Sequence, residues 1–333
     1  MTSSGLVPGA AASPSVWRPA DFADASDWTT ALSSAERAEI VAAARAAVGA
    51  GLTAATVRAE SFPLPGLAAR LAGWVRELSA GRAFVFIRGF PVDQLSEAET
   101  ELAYVGLGLH LGVPVSQNAA GDLLGHVRDT GLVRDSPAVR LYATNQRQDF
   151  HCDGSDLVGL LCLNPAKMGG ESKIVSSMAV YNQMLARRPD LVEVLREPFA
   201  WDRNDEQSAG EDPFFSLPVI FDISGAPRIF FVGWYIRDAQ RHARTPRLTA
   251  WQLGALELLE GIANDPSFYL QMEFRPGDIQ LLNNARILHA REAFTDYDDP
   301  AERRHLLRLW LTAHAFASVE ETLRGGIPAR QDS

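Results

Sequence analysis

The sequence predicts a mainly β fold, one antiparallel β architecture with helical decoration. Two observations carry that prediction. From Val139 onward the chain is dominated by short apolar runs that stop at Gly, Pro, Asn or Asp, the signature of strands and tight turns. Helical periodicity is grouped early and then inserted mid-chain, without the regular strand–helix alternation of a doubly wound parallel sheet. No Gly-x-Gly-x-x-Gly follows a strand, and there is no P-loop.

The elements follow in order. Residues 1–20, rich in Ser, Ala, Gly and Pro, read as a flexible N-terminus, and residues 21–333 as a single domain. Ala31–Val48 is a helix, capped by Ser33 or Ser34, with Glu36 in its first turn and Gly49 at its end. Leu67–Ser79 is a second helix and Glu97–Leu111 a third. Between them, Ala83–Phe90 is short, apolar and aromatic, and reads as a buried strand. Val139–Ala143 and Asp149–Asp153 are short strands around a polar loop, and Val158–Leu163 is a strand stopped by Asn164-Pro165. Met168-Gly169-Gly170 is a turn leading into the strand Glu171–Ser176. Ala179–Arg187 and Pro189–Arg196 are helices broken near Pro189. Pro218–Ile223 and Arg228–Val232 form a hairpin, Ala250–Ala263 a helix, and Phe268–Phe274, Asp278–Asn283 and Arg304–Thr312 the closing strands.

A formal net charge of -10 argues against a nucleic-acid or anionic-membrane partner. Two cysteines, Cys152 and Cys162, in 333 residues point to a reducing compartment rather than a disulfide scaffold. No charged segment followed by an apolar core opens the chain, and no apolar run reaches the roughly 20 residues of a membrane span, so the expected location is the cytoplasm. A homo-oligomer is compatible with the sequence.

The chemistry centres on Asp149-Phe150-His151-Cys152-Asp153 and Asn284-Ala285-Arg286-Ile287-Leu288-His289. In extended chain, residues i and i+2 point the same way, so His151 and Asp153 can offer an imidazole and a carboxylate to one metal while Cys152 points away. A distant His289 would complete a two-histidine, one-carboxylate facial triad, the ligand set of non-haem Fe(II) oxygenases. Further on, Arg303-Arg304-His305-Leu306-Leu307-Arg308-Leu309-Trp310 places Arg304 and Arg308 on one strand face with Leu306 and Trp310. An inward arginine is costly unless it meets an anion, and its fork matches a carboxylate. Ser172, in Gly169-Gly170-Glu171-Ser172, can add a hydroxyl to the same carboxylate.

His151-Cys152-Asp153, Gly169-Gly170-x-Ser172, Pro276-Gly277-Asp278, Asn284-x-x-x-x-His289 and the Arg303–Arg308 run occur in the order seen in taurine dioxygenase-like (TauD/TfdA-type) Fe(II)/2-oxoglutarate dioxygenases, which the chain resembles over residues 80–315. The resemblance implies a double-stranded β-helix, or jelly roll. It implies Fe(II) on His151, Asp153 and His289, 2-oxoglutarate on Arg304 and Ser172, and O2 as co-substrate. Arg308 matches a position that some members use for an anionic substrate group, and Arg303 is the rival anchor if the register shifts. Halogenating relatives replace the carboxylate with a small residue, so Asp153 implies hydroxylation, desaturation or ring formation. The expected substrate is a small carboxylate, amino acid or natural-product intermediate. Asn145, Gln148, Tyr235 and Arg237 are candidate substrate contacts. Two alternatives stay open on the residues alone, a non-redox metal-dependent jelly-roll enzyme and a non-enzymatic metal and oxoacid sensor.

Overall fold

The computed structural model describes residues 9–118, 120–133, 139–207, 210–223 and 225–313. Its centre is a pair of β-sheets. The larger runs Thr29–Ala31, Phe84–Arg88, Ile279–Asn283, Leu157–Asn164, His305–Thr312 and Val113–Pro114, with Leu124–Val127 also paired to His305–Thr312. The smaller runs Tyr269–Met272, Ser172–Ser176, Ile287–Arg291 and Gln148–His151. Apart from the parallel edge strand Thr29–Ala31, the pairing within both sheets is antiparallel, and the architecture is the expected jelly-roll core.

Period-two alternation sorts each strand between two environments. Phe84, Phe86, Val158, Leu282 and Trp310 of the large sheet meet Ile174, Leu270, Met272 and Ile287 of the small one, forming an aromatic interior. The alternate residues Val85, Ile87, Leu161, Leu281, Leu307 and Leu309 pack outward on the helices Ser34–Gly49, Ala68–Ala80 and Glu97–Gly108. On the far side of the small sheet, Phe150, Cys152, Val175, Leu288 and Ala290 pack on helices Ser177–Arg187 and Ala250–Ala263. Covering both sheets on both faces explains why the strands read as apolar runs. The first helix starts at a capping box in which Ser33 Oγ accepts from Glu36 N and the Glu36 carboxylate accepts from Ser33 N.

Three expectations need correction, and one strand went unassigned. The N-terminal stretch is not loose over its described part. Ala11 exchanges backbone hydrogen bonds with the Asn182 side chain, Ser15 is buried, and Trp17 packs on Phe84 with its indole N–H on Arg82 O. Residues 1–8 lie outside the described residues. Val139–Ala143 is not a strand; Leu141–Ala143 is a single 3-10 turn closed by Ala143 N on Arg140 O. Met168–Gly169 is more than a turn, since it pairs antiparallel with Phe294–Thr295. Ile287–Arg291, unassigned from the sequence, is a fully buried strand. Its inward residues Ile287, His289 and Arg291 hide the usual apolar alternation.

At Gly169, φ is +79°, and a Cβ would stand 2.3 Å from Ala293 O, against the turn that follows the His289 strand. Gly169→Ala is therefore expected to destabilise the fold by at least about 1–3 kcal/mol, read as a lowered denaturation midpoint. An unchanged midpoint would refute this account of Gly169.

A second prediction concerns pH. His305 opens the Arg308 strand with its Nε2 2.9 Å from His126 Nδ1. Burial, then the charges of His126 and Arg128, against a smaller opposing pull from Glu97, push its pKa down to about 4. The unfolded chain takes up this proton near pH 6.5 and the folded chain only near 4. Acidification through that window thus favours unfolding. Melting profiles between pH 7 and 4 should show His305→Asn losing less stability than the wild type; parallel profiles would remove His305 from the acid sensitivity.

Candidate active site

Strand register brings the proposed chemistry together. His151 lies directly opposite His289 across the Gln148–His151 and Ile287–Arg291 pair, with ring centroids 4.2 Å apart. The strand ends at His151, where Cys152 N turns to Phe231 O, so Asp153 stands just beyond it. The alternation nevertheless persists. Cys152 points outward, its sulfur taking a hydrogen bond from Phe231 N, while Asp153 points inward. Asn284 holds this turn, its Oδ1 accepting from Asp153 N and its amide donating to Ser155 O and Oγ.

Asp153 Oδ1 lies 3.9 Å from His151 Nε2, and its Oδ2 lies 3.7 Å from His289 Nε2. The three donor atoms fall within 4.8 Å of one another. Donor–metal bonds of about 2.0–2.2 Å place such atoms roughly 3–4 Å apart, so small side-chain adjustments close the group around one ion. Among the described residues no other cluster of three or more His, Cys, Asp or Glu has this spacing. His151 Nδ1 donates to Asp149 O at 2.8 Å, which leaves the Nε2 lone pair facing inward, where the Gln148 amide meets it at 3.1 Å. Burial drives His289 down to about 3, assisted by His151, so both donors are neutral as a metal requires. For Asp153, burial acts upward but is outweighed by Arg308, His289, His151 and the 3.0 Å hydrogen bond from Trp310 Nε1, and the carboxyl sits below its ordinary range.

Two cavities meet at this cluster, sharing His151, Gln148, Tyr142 and Arg308. The smaller, about 40 Å³, is lined by Ser172, Arg291, Arg304 and Arg308 with no carboxylate in its wall. Arg304 is buried, its backbone N–H on Asp296 Oδ1 and its Nη1 without a hydrogen-bond partner. Burial lowers it to about 10; burial and then Arg304 itself lower Arg291 to about 9. Ser172 Oγ faces the same space and donates to Gln280 Oε1 at 3.1 Å. Gly170, at φ +75°, lies against the Arg304 side chain, where a Cβ would come within 3.1 Å of Nε. Arg303, the rival position, is exposed and lines neither of these cavities, its Nε and Nη2 donating to the Tyr297 and Asp298 carbonyls. Buried donors with no hydrogen-bond partner, in a cavity wall without a carboxylate, fit an acid with a second carboxylate, just as the neutral histidines and the carboxylate fit a divalent ion.

The larger cavity, about 140 Å³, has aromatic walls from Tyr142, Trp234, Tyr235 and Trp310. Arg308 reaches it between the Tyr142 and Trp310 rings, each 4.7 Å from the guanidinium carbon. Its Nε is held by Gln117 Oε1 at 2.7 Å, and its Nη1 lies 3.6 Å from Asp153. Of the candidate substrate contacts, Gln148 and Tyr235 line this cavity. Asn145 lines neither cavity, and its carbonyl is spent on Phe294 N. Arg237 is a correction. It forks onto Glu260 with two 2.7 Å bonds outside the cavity. Sequence reasoning missed Gln117, Arg140, Trp234, Trp310 and Arg291 as lining residues. Two of them carried a readable signal: Trp310 shares the strand face of Arg304 and Arg308, and Arg291 stands two residues beyond His289 and hence on its face of the strand.

A model of the "Taurine catabolism dioxygenase TauD, TfdA family" matches residues 49–310. This chain belongs to that family. FR-33289 synthase of Streptomyces rubellomurinus is 33% identical over 321 residues, 95% of each chain. Taurine hydroxylase-like protein SAT17 of Stachybotrys chartarum is 32% identical over 306 residues, 88% of this chain and 77% of that one. Among solved structures, asparagine oxygenase in complex with Fe(II), 2S,3S-3-hydroxyasparagine and succinate superposes with a TM-score of 0.66 at 18% identity, over 86% of this chain and 93% of that one. The protein is thus an Fe(II)/2-oxoglutarate-dependent TauD/TfdA oxygenase using O2, rather than a non-redox metalloenzyme or a sensor. No helix of the described residues is long and apolar enough to cross a membrane.

Proposed function

We propose that His151, Asp153 and His289 hold Fe(II), that Arg304 and Ser172 receive the distal carboxylate of 2-oxoglutarate, and that the larger cavity takes a small anionic molecule for hydroxylation at an aliphatic carbon. The observation that carries this reading is the buried His–Asp–His cluster at the junction of an arginine-walled, carboxylate-free lobe and an aromatic one. Fe(II) with 2-oxoglutarate and O2 supplies the oxidation of the C–H bond, and the balanced outcome is one alcohol, one succinate and one CO2.

The chain's own residues bind, orient and exclude water. Arg304 and Ser172 set the cosubstrate's depth, and Phe274 and Leu306 supply apolar wall to its lobe. Trp310 fixes the carboxylate by donating to Asp153 Oδ2, the oxygen on the His289 side, and leaves Oδ1 toward His151. Charge supports an anionic substrate. Within the walls of the two lobes, where Arg140 is already paired with Glu206, Arg291, Arg304, Arg308 and a divalent ion carry five positive charges against three negative ones on Asp153 and the 2-oxoglutarate dianion, while Asp296 and Asp129 act on Arg304 and Arg291 only from outside those walls. Arg308, fixed by Gln117 at the seam of the two lobes, is placed to meet the surplus with a carboxylate, sulfonate or phosphate-type group. Taurine, in the name of one relative, carries such a group.

The test is anaerobic addition of Fe(II) and 2-oxoglutarate, followed by the visible charge-transfer absorption of a chelated 2-oxo acid, and then aerobic screening of small anions for succinate release. Absorption together with anion-stimulated succinate release supports the reading. A folded, metal-loaded protein with no absorption, or stimulation only by cationic compounds, sinks it.

A further inference from the structure

Arg291 is the buried charged group in this site to which no role has yet fallen. It projects from the same strand face as His289, is 7% exposed, and lines the small lobe with Arg304. Its guanidinium carbon lies 5.0 Å from the centre of the Phe294 ring, and Arg304's lies at the same distance from that ring, so the two arginines share one aromatic platform. One end of Arg291 is spoken for, since Nη2 donates to the carbonyls of Leu141 and Gln146. Its Nε and Nη1 are buried with no hydrogen-bond partner.

Those two donors are the difficulty for a purely structural role. Tethering the Leu141–Gln146 segment needs only Nη2, and a lysine or glutamine could do it without leaving two buried N–H groups unmet. Bringing a second guanidinium beside Arg304 in a wall without carboxylates adds repulsion in a poorly solvated space. Both costs vanish if an anion with several lone pairs enters between the two arginines. A carboxylate presents about four acceptor sites, enough for Arg304 Nη1, the two free donors of Arg291 and Ser172 once its hydroxyl turns from Gln280 Oε1.

We infer that Arg291 is a second anchor for the distal carboxylate of 2-oxoglutarate, forming with Arg304 a two-arginine clamp that selects 2-oxo acids bearing a second carboxylate. The inference rests on the reading of the small lobe as the 2-oxoglutarate site. Arg291 acts as a positioning and selectivity residue. It joins the cosubstrate lobe, through Nη2, to the segment carrying Tyr142, which lines both cavities.

The test measures binding rather than turnover. Full-length protein loaded with Mn(II) is titrated by calorimetry with 2-oxoglutarate and with 2-oxobutyrate, which offers the same chelating end but no distal carboxylate. Arg291→Gln is expected to weaken 2-oxoglutarate roughly tenfold to a hundredfold while shifting 2-oxobutyrate less than about twofold, as for the loss of charged hydrogen bonds. Arg291→Lys, which keeps the charge but not the fork, should fall between and serves if the glutamine variant does not fold. Parallel weakening of both acids, or no change in either, overturns the clamp and leaves Arg291 as a loop tether. Arg304→Gln separates the two levels. If it collapses the selectivity while Arg291→Gln does not, only the clamp fails. If it too leaves the selectivity unchanged, the assignment of the lobe fails.

Discussion

Asp153→Ala is expected to lower substrate oxidation by more than about a hundredfold, since loss even of residues that merely orient metal ligands costs 10–100-fold. The effect has two sources in this structure. The variant removes the one carboxylate of the donor cluster. It also removes the acceptor of Trp310 Nε1 and the nearest negative charge to Arg308, whose Nη1 lies 3.6 Å away. Arg308 is then left buried without a counter-charge and free to lean into the metal position. Asp153→Asn keeps an acceptor for Trp310 and separates these effects, and it should hold its fold better while still binding Fe(II) poorly. Anaerobic Fe(II) titration, with succinate release as the activity readout, checks both variants. Turnover within a few-fold of wild type in Asp153→Ala would remove this residue from the metal site.

Arg304→Met should show the opposite coupling of function and stability. Arg304 is 4% exposed, has an unpartnered Nη1, and is pushed by burial to about 10. Its charge is thus a standing cost in the ligand-free protein, and a hydrophobic residue of similar length is expected to raise the melting temperature or leave it level. If Arg304 receives the distal carboxylate as proposed, the same variant should bind 2-oxoglutarate at least about a hundredfold more weakly, because a charge-assisted pair is lost. In the wild type, saturating 2-oxoglutarate raises the melting temperature by mass action; in Arg304→Met that rise should vanish. A variant that is strongly destabilised yet keeps its ligand-induced shift would contradict both halves of the argument.

Much of the site was legible because its rules are local. In His151-Cys152-Asp153 and Arg304–Trp310, alternate side chains share a face whatever the rest of the chain does, and both runs behave as that rule requires, even where the strand itself ends at His151. The same alternation puts Arg304 rather than Arg303 in the wall of the small lobe. The rule was equally available at His289-Ala290-Arg291, but a strand whose inward residues are isoleucine, histidine and arginine carries no apolar periodicity to announce it. Tyr235 and Arg237 fell in one short helix, Gly233–Asp238, where a two-residue step turns about 200°. One residue reaches the cavity, and the other is carried out to Glu260.

The sequence by itself determined the ligand types, the strand faces that carry them, the mainly β class and the family order of motifs, since each depends on residues a few positions apart. Tertiary structure alone decided that Trp310 binds Asp153 across 157 residues, that Gln117 secures Arg308 across 191, and that Arg291 and Arg304 meet over Phe294. These contacts are set by sheet register and by how the two sheets face each other, and neither leaves a mark in the spacing of residues along the chain.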